Sequence, residues 1–247
     1  MIGKQNERTF RYLAQFWSEE RKMTGFLLAL LFDTLIVYPL VSAVSSRVEI
    51  QIINILVILT VFLFGLFALT YYKITRMVFG GVLIIVISVR LVRFIFRANW
   101  LLSWEICLSL LIVIAYLSFI LRYVYKEGPV TRQRLEGAVA AYLLIAMGFA
   151  LGYYLISYLV PGALNFPDKL PNIDDPRFGY LFHYFSISTI TTLGYGDIIP
   201  VHPFARTLTM IEALVGQLYP AILLARLVSS SLVGTQGPAK EKTIARS

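Results

Sequence analysis

The sequence predicts an all-α membrane protein: six transmembrane helices, with a short re-entrant helix and loop between helices five and six. Three observations carry that expectation. The 247 residues are 58% hydrophobic and only 15% charged, against roughly 25% charged in an ordinary soluble domain. Apolar runs recur at 24–45, 50–72, 77–96, 100–121, 137–160 and 204–228, and about 20 helical residues suffice to cross ~30 Å of hydrocarbon. Between the last two runs stands "SISTITTLGYGDIIP", 186–200, a polar and glycine-bearing stretch where lipid would penalise irregular backbone.

Segment 1–23 reads as a cytoplasmic amphipathic piece. Phe10, Leu13, Ala14 and Trp17 fall at i, i+3, i+4 and i+7, one face of a helix lying on the inner leaflet; a solvated extension is the alternative. The charged run before the first apolar segment, with no small-residue cleavage site after it, argues against a signal peptide. Segment 24–121 holds four spans with short connections, which favour antiparallel hairpins. Cys107, the single cysteine, lies within an apolar run and is expected as a buried packing residue. A cytoplasmic linker follows at 122–136, marked by charges and by Gly128-Pro129, because proline disfavours helix at the residue before it.

Segment 137–230 is organised differently: a helix, a 43-residue interval (161–203), and a second helix. The interval opens with "PGALNFPDKLPNIDDP", 161–176, whose turn residues predict an exposed turret. Residues 178–191 then read as a helix of about 20 Å, too short to span. Segment 231–247 is a short polar cytoplasmic tail, and the 19 residues after Val228 are expected to be disordered.

The net charge of +8 is distributed by topology. With the N-terminus inside, inner segments hold 15 of the 22 basic residues, which places both termini in the cytoplasm of a multi-pass cell-membrane protein. The excess suits attraction to anionic lipids at the inner leaflet and argues against nucleic acid as a partner. No metal-ligand cluster, His-x-x-x-His pair or paired intramembrane carboxylates appear, so the sequence does not read as an enzyme.

A half-length helix followed by extended backbone, flanked by two full spans, is a re-entrant loop. Such backbone at membrane depth must be buried in protein or line an aqueous path. Thr191-Thr192-Leu193-Gly194-Tyr195-Gly196-Asp197 resembles the potassium-channel signature, with Leu193 in place of the commoner valine. The similarity covers 137–230, where Pro200, Arg206 and Gly216 also fall at positions that bacterial members fill with these residues. The chain thus resembles a bacterial potassium channel of the pore-loop superfamily with a six-span subunit.

That resemblance implies a selectivity filter in which backbone carbonyls of Thr192, Leu193, Gly194 and Tyr195 replace the hydration shell of K+, with the Thr192 hydroxyl closing the innermost site. Gly194 and Gly196 supply dihedrals that a Cβ opposes. Thr191, Asp197 and Tyr184 support the filter, Tyr184 being the expected hydrogen-bond partner of Asp197, and Tyr195 turns toward an aromatic shell. The 178–191 helix points its partial negative end at the central cavity. One loop supplies a quarter of each ring, so the implied partner is three further copies in a homotetramer. Permeant K+ ions are the only non-protein component, with no cofactor.

In the last span Gly216 and Pro220 permit a bend, and Gln217, Pro220, Leu224 and Val228 recur at helical spacing as an inner-pore face. Glu212, an intramembrane carboxylate, has two readings: a functional group by default, or a group paired behind the filter. Asp168, Asp174 and Asp175 on the turret are nearly cancelled by Lys169 and Arg177, and His183 and His202 read as packing or exposed residues rather than outer-pore pH sensors. Arg90, Arg93 and Arg97 share one face of the third span and resemble a voltage-sensor helix. They sit on the third span at its outer end, however, and the fourth span has Glu105 but no basic residue. The 50–72 span has no acidic residue, leaving Asp33, Glu49 and Glu105 nearby. Static ion pairing or lipid anchoring, with weak or absent voltage dependence, is therefore the expectation. A voltage-gated channel with an atypical arginine-bearing third helix, or a non-channel sensory or transport protein, are the alternatives.

Overall fold

The computed structural model describes residues 23–37, 40–41, 46–69, 73–96, 100–126, 128, 131–166 and 178–235. In chain order the elements are α1 (Met23–Val37), α2 (Arg47–Leu69), α3 (Lys73–Phe96), α4 (Leu101–Val124), α5 (Arg132–Leu159), β1 (Leu164–Asn165), α6 (Phe178–Ile190), β2 (Ile199–Pro200) and α7 (Pro203–Thr235). The architecture is all-α in substance. Among the described residues five helices (α2, α3, α4, α5 and α7) are long and apolar enough to cross a membrane. Within the first expected span, 24–45, the longest stretch among the described residues is α1, about 22 Å at 1.5 Å per residue, which includes a π-helical turn at Asp33–Val37. The N-terminal amphipathic stretch with Phe10 and Trp17, Arg97, Asp168, Lys169, Asp174, Asp175, Arg177 and the tail from 236 lie outside the described residues.

The linker is shorter than the sequence suggests. α4 runs on to Val124 and α5 already begins at Arg132, so 122–136 is mostly helix. Thr131 is the reason at one end: its hydroxyl caps α5 by accepting the Arg134 N–H at 3.4 Å. Arg134 Nη1 also donates to the carbonyls of Lys126 (2.9 Å) and Gly128 (3.0 Å). Gly128 sits at φ +124°, a conformation open to glycine alone at little cost.

α5 is the central element and packs on α4, α6 and α7. Its buried face combines small residues (Gly137, Ala138, Ala140, Ala141, Ala146 and Ala150), which let neighbouring backbones approach closely, with the larger Leu144 and Tyr153. One core joins α1–α4 to α5 around Phe26, Phe62, Ile112, Tyr116 and Leu144. Tyr116 is its hub: the ring contacts Phe26, Phe62 and Phe79, and its hydroxyl donates to the Phe62 carbonyl at 3.2 Å. Cys107 corrects the sequence reading. It is exposed, because the buried stripe of α4 passes through Leu102, Glu105, Ile106, Ile112 and Tyr116 and leaves position 107 facing outward.

A second core surrounds α6 and includes Tyr153, Phe178, Phe182, Phe185, Ile198 and Ala205. Of the stretch 161–166, expected as the start of an exposed turret, Pro161, Gly162 and Asn165 are exposed, whereas Ala163, Leu164 and Phe166 pack into this core. Ala163 and Leu164 are buried, since β1 pairs antiparallel with β2, Leu164 opposite Pro200 and Asn165 opposite Ile199. The Ala163 carbonyl accepts the N–H groups of Val201 (2.9 Å) and His202 (3.1 Å). This pairing ties the end of α5 to the chain leaving the glycine-rich loop.

Candidate functional site

The loop begins where α6 ends, one residue before the expected helix end at Thr191. The last four carbonyls of a helix lack intrahelical partners, and here all four are satisfied. Ile187 O accepts from Thr191 N (3.1 Å) and Thr191 Oγ1 (2.7 Å). Ser188 O accepts from Gly194 N (3.1 Å), and Thr189 O from Thr192 N (3.0 Å). Ile190 O accepts from the Tyr142 hydroxyl of α5 at 2.7 Å. The first residues of the loop therefore hang from the helix end by their N–H groups.

Backbone angles then alternate. Thr192, Gly194 and Gly196 have φ of +61°, +57° and +77°, and the intervening Leu193 and Tyr195 do not lie in that region. In a β-strand successive residues alternate sides. A residue of opposite handedness at every second position turns each peptide plane back, so consecutive carbonyls share one side. Thr192 is the one non-glycine residue with positive φ among the described residues, a conformation that costs about 1–2 kcal/mol for a residue with a Cβ. All of 191–197 is exposed on the single chain.

The loop is braced from behind. Tyr184 OH donates to Asp197 Oδ2 at 2.8 Å, the pairing that the sequence anticipates. The Tyr184 and Tyr195 rings lie nearly parallel, 11° apart with centroids at 6.2 Å. Asp197 Oδ1 accepts the Ile198 N–H at 3.0 Å, and Arg206 Nε donates to the Pro200 carbonyl at 3.2 Å. His202 belongs to the same turn, its Nδ1 accepting the Phe204 N–H at 3.4 Å.

Gly216 meets α6 rather than open space. A Cβ there would overlap the Ile190 carbonyl oxygen and stand 2.9 Å from Ile190 Cγ1. Pro220 lies inside α7 and removes the N–H that would serve the Gly216 carbonyl. Gln217 and Leu224 are exposed on the single chain; Val228 is on α7, but its side chain lies outside the described residues. Tyr219 OH donates to the Ala138 carbonyl at 2.8 Å, and its ring stacks on Tyr142.

Glu212 is fully buried. Tyr153 OH donates to its Oε2 at 2.6 Å, and Ser186 Oγ contacts its Oε1. Of the two readings of Glu212 from sequence, the structure favours pairing behind the loop. Tyr153, Ser186 and Tyr142 were not anticipated. Their signals were faint: Tyr142 and Tyr153 stand three turns apart on one face of α5, and Ser186 is a hydroxyl in an otherwise aromatic stretch of α6.

Arg90 and Arg93 converge on Glu105. Arg90 Nε and Nη2 both lie 2.5 Å from Oε1, and Arg93 Nε lies 2.7 Å from Oε2. They border a cavity of about 170 Å³ between the α1–α4 region and α6, lined also by Asp33, Gln51, Tyr180 and His183. His183 thus faces this cavity from α6.

A family model described as an ion channel matches residues 176–230, which spans α6, the loop and most of α7. Residues 176–230 are thus similar to an ion-channel family. Over 69 residues the chain is 38% identical to the inward rectifier potassium channel Kirbac3.1 of Paramagnetospirillum magnetotacticum, covering 28% of this chain and 21% of that protein. Over 89 residues it is 33% identical to Protein LctB of Bacillus caldotenax, covering 35% of this chain and 64% of that protein. The chain spans about one fifth of the first relative and under two thirds of the second. No solved structure matches it. The segment that the family model matches is also the part that carries the alternating backbone.

Proposed function

We propose that this chain is the subunit of a potassium-selective channel in which four copies surround one pore and conduct K+ passively. The alternation of backbone handedness at Thr192, Gly194 and Gly196 is the observation that carries the proposal. It aligns the carbonyls of Thr192, Leu193, Gly194 and Tyr195 into one ladder of oxygens, the kind of ligand that replaces an ion's water. The Thr192 hydroxyl adds the innermost oxygen. Gly196 continues the alternation, while Thr191, Tyr184 and Asp197 hold the ladder in place.

One ladder cannot enclose an ion, and the chain contains one. The exposure of all seven residues 191–197 and of Met210, Leu214 and Leu218 along α7 supports covering by like surfaces from three further copies. The inner pore then runs along the face bearing Gln217, Leu224 and Val228, with Pro220 as the point where α7 yields. The basic residues of the inward segments support cytoplasmic termini and contact with anionic lipid.

Gating by voltage finds little support. Moving one charge through 100 mV is worth about 2.3 kcal/mol, but Arg90 and Arg93 share a single buried carboxylate, and displacing either would leave that carboxylate underpaired.

The decisive experiment uses purified protein in planar bilayers under opposed potassium and sodium gradients. The reversal potential follows the potassium gradient, and Gly194→Ala abolishes the current, because alanine at φ +57° opposes the ladder by about 1–2 kcal/mol per subunit. A reversal potential that tracks sodium overturns the reading.

A further inference from the structure

Glu212 lies in a closed group of oxygens shared by α5, α6 and α7. Tyr153 OH is 2.6 Å from Glu212 Oε2. Ser186 Oγ touches Glu212 Oε1 and is 2.6 Å from the Ala146 carbonyl. Thr209 Oγ1 is 2.9 Å from the Ala205 carbonyl and 3.2 Å from Tyr153 OH. No ion pair reaches Glu212 among the described residues.

Protons can be counted around this group. A contact of 2.5–3.0 Å between two oxygens is a hydrogen bond and needs a proton on its line. Four contacts here are shorter than 3.0 Å: Thr209 to Ala205, Tyr153 to Glu212, Ser186 to Glu212 and Ser186 to Ala146. The hydroxyls of Thr209, Tyr153 and Ser186 supply one proton each, and a carbonyl oxygen supplies none. The shortfall falls on Ser186, whose single proton cannot serve both Glu212 and Ala146. A carboxylic acid donating to Ser186 Oγ frees that proton for Ala146, and every short contact is then filled.

We infer that Glu212 is held as a neutral carboxylic acid, with its proton on Oε1, and that this acid is the positioning residue that locks α7 to α6 behind the loop. One turn further along both helices, Gly216 abuts Ile190, so the acid and the glycine set one register for two helices running side by side. Neutrality serves this place. A buried carboxylate without a cation would carry a large desolvation cost, and four of them around one axis would repel one another. As an acid, Glu212 both accepts and donates, which joins three helices without net charge. Its role in conduction rests on the channel reading above, whereas its protonation does not.

The test combines infrared spectroscopy with flux on the full-length protein reconstituted in lipid. At neutral pH, where exposed carboxylates are ionised, the parent shows a protonated-carboxyl C=O stretch above the amide I band. Glu212→Gln removes that band. The amide can still accept from Tyr153 and donate to Ser186, so Glu212→Gln keeps potassium flux within about twofold, while Glu212→Ala lowers both flux and thermal midpoint. A parent spectrum lacking a band that Glu212→Gln removes shows an ionised carboxylate and overturns the inference. Wild-type flux and midpoint in Glu212→Ala overturn the positioning role. If the parent itself passes no potassium, the channel reading fails, and the infrared comparison still decides the protonation state.

Discussion

Two glycines in this chain have different reasons to be glycine. Gly194 needs a left-handed backbone, at φ +57° with nothing close to its would-be Cβ. Gly216 is helical and needs room, because the Ile190 carbonyl occupies the space. That carbonyl is the last of α6 and is also fixed by Tyr142, so it cannot retreat freely. Overpacking at such a contact costs typically 1–3 kcal/mol. Gly216→Ala is expected to lower stability by about that amount and to reduce potassium flux by displacing the helix from which the loop hangs. Gly80 in α3, with nothing within 4 Å of its would-be Cβ, is the control: Gly80→Ala should be neutral or stabilising by about 0.5–1 kcal/mol. Thermal unfolding of the two variants in detergent checks the contrast, and equal effects would remove the packing explanation.

At the scale of elements, α3 and α4 are joined by an uneven cluster of two guanidinium groups and one carboxylate. Arg90, Arg93 and Glu105 are largely buried, at 16%, 16% and 4% side-chain exposure. Removing one partner of a buried pair costs about 3–5 kcal/mol because the other charge stays behind. Glu105→Gln should therefore destabilise the chain by roughly 3 kcal/mol, measured as a lower thermal midpoint. The same geometry predicts shallow conductance–voltage curves that barely change in Arg90→Gln. A steep curve that flattens on neutralising Arg90 or Arg93 would make α3 a working sensor instead. α6 presents the opposite situation: its end carbonyls are fully occupied, so helix and loop form one unit. Changes at either end of that unit should be felt along all of it.

For the whole molecule, the exposed loop and the apolar outer face of α7 are the surfaces on which the proposed assembly rests. Within Pro203–Arg226 of α7 the chain itself fully buries only Ala205, Glu212 and Gly216. A helix with so little of itself covered, beside a loop with every residue 191–197 exposed, is expected to meet other copies. Four chains of 28.0 kDa give a particle of about 112 kDa of protein, the closed ring that a carbonyl ladder requires. Native mass spectrometry in a detergent that preserves flux should find that tetramer. Monomers or dimers alone under those conditions would contradict it.

The sequence by itself determined the class of the protein, the apolar runs behind all five long helices, the half-length α6 and the glycine-bearing loop after it. Those features are written in contiguous residues: run length, turn formers, and a motif whose spacing is local. The Tyr184–Asp197 bond was legible for the same reason, since Asp197 closes that motif and Tyr184 lies on the helix just before it. The neighbours of Gly216, the partners of Glu212, the β1–β2 pairing and the outward face of Cys107 were not legible. Each depends on which sides of separate helices meet. In a membrane protein, hydrophobicity cannot reveal that, because lipid tails are as apolar as leucine and a lipid-facing stripe reads like a core-facing one. Tertiary packing alone decided that Gly216 faces a carbonyl, and that a carboxyl group stands among three hydroxyls rather than on the exposed face of α7.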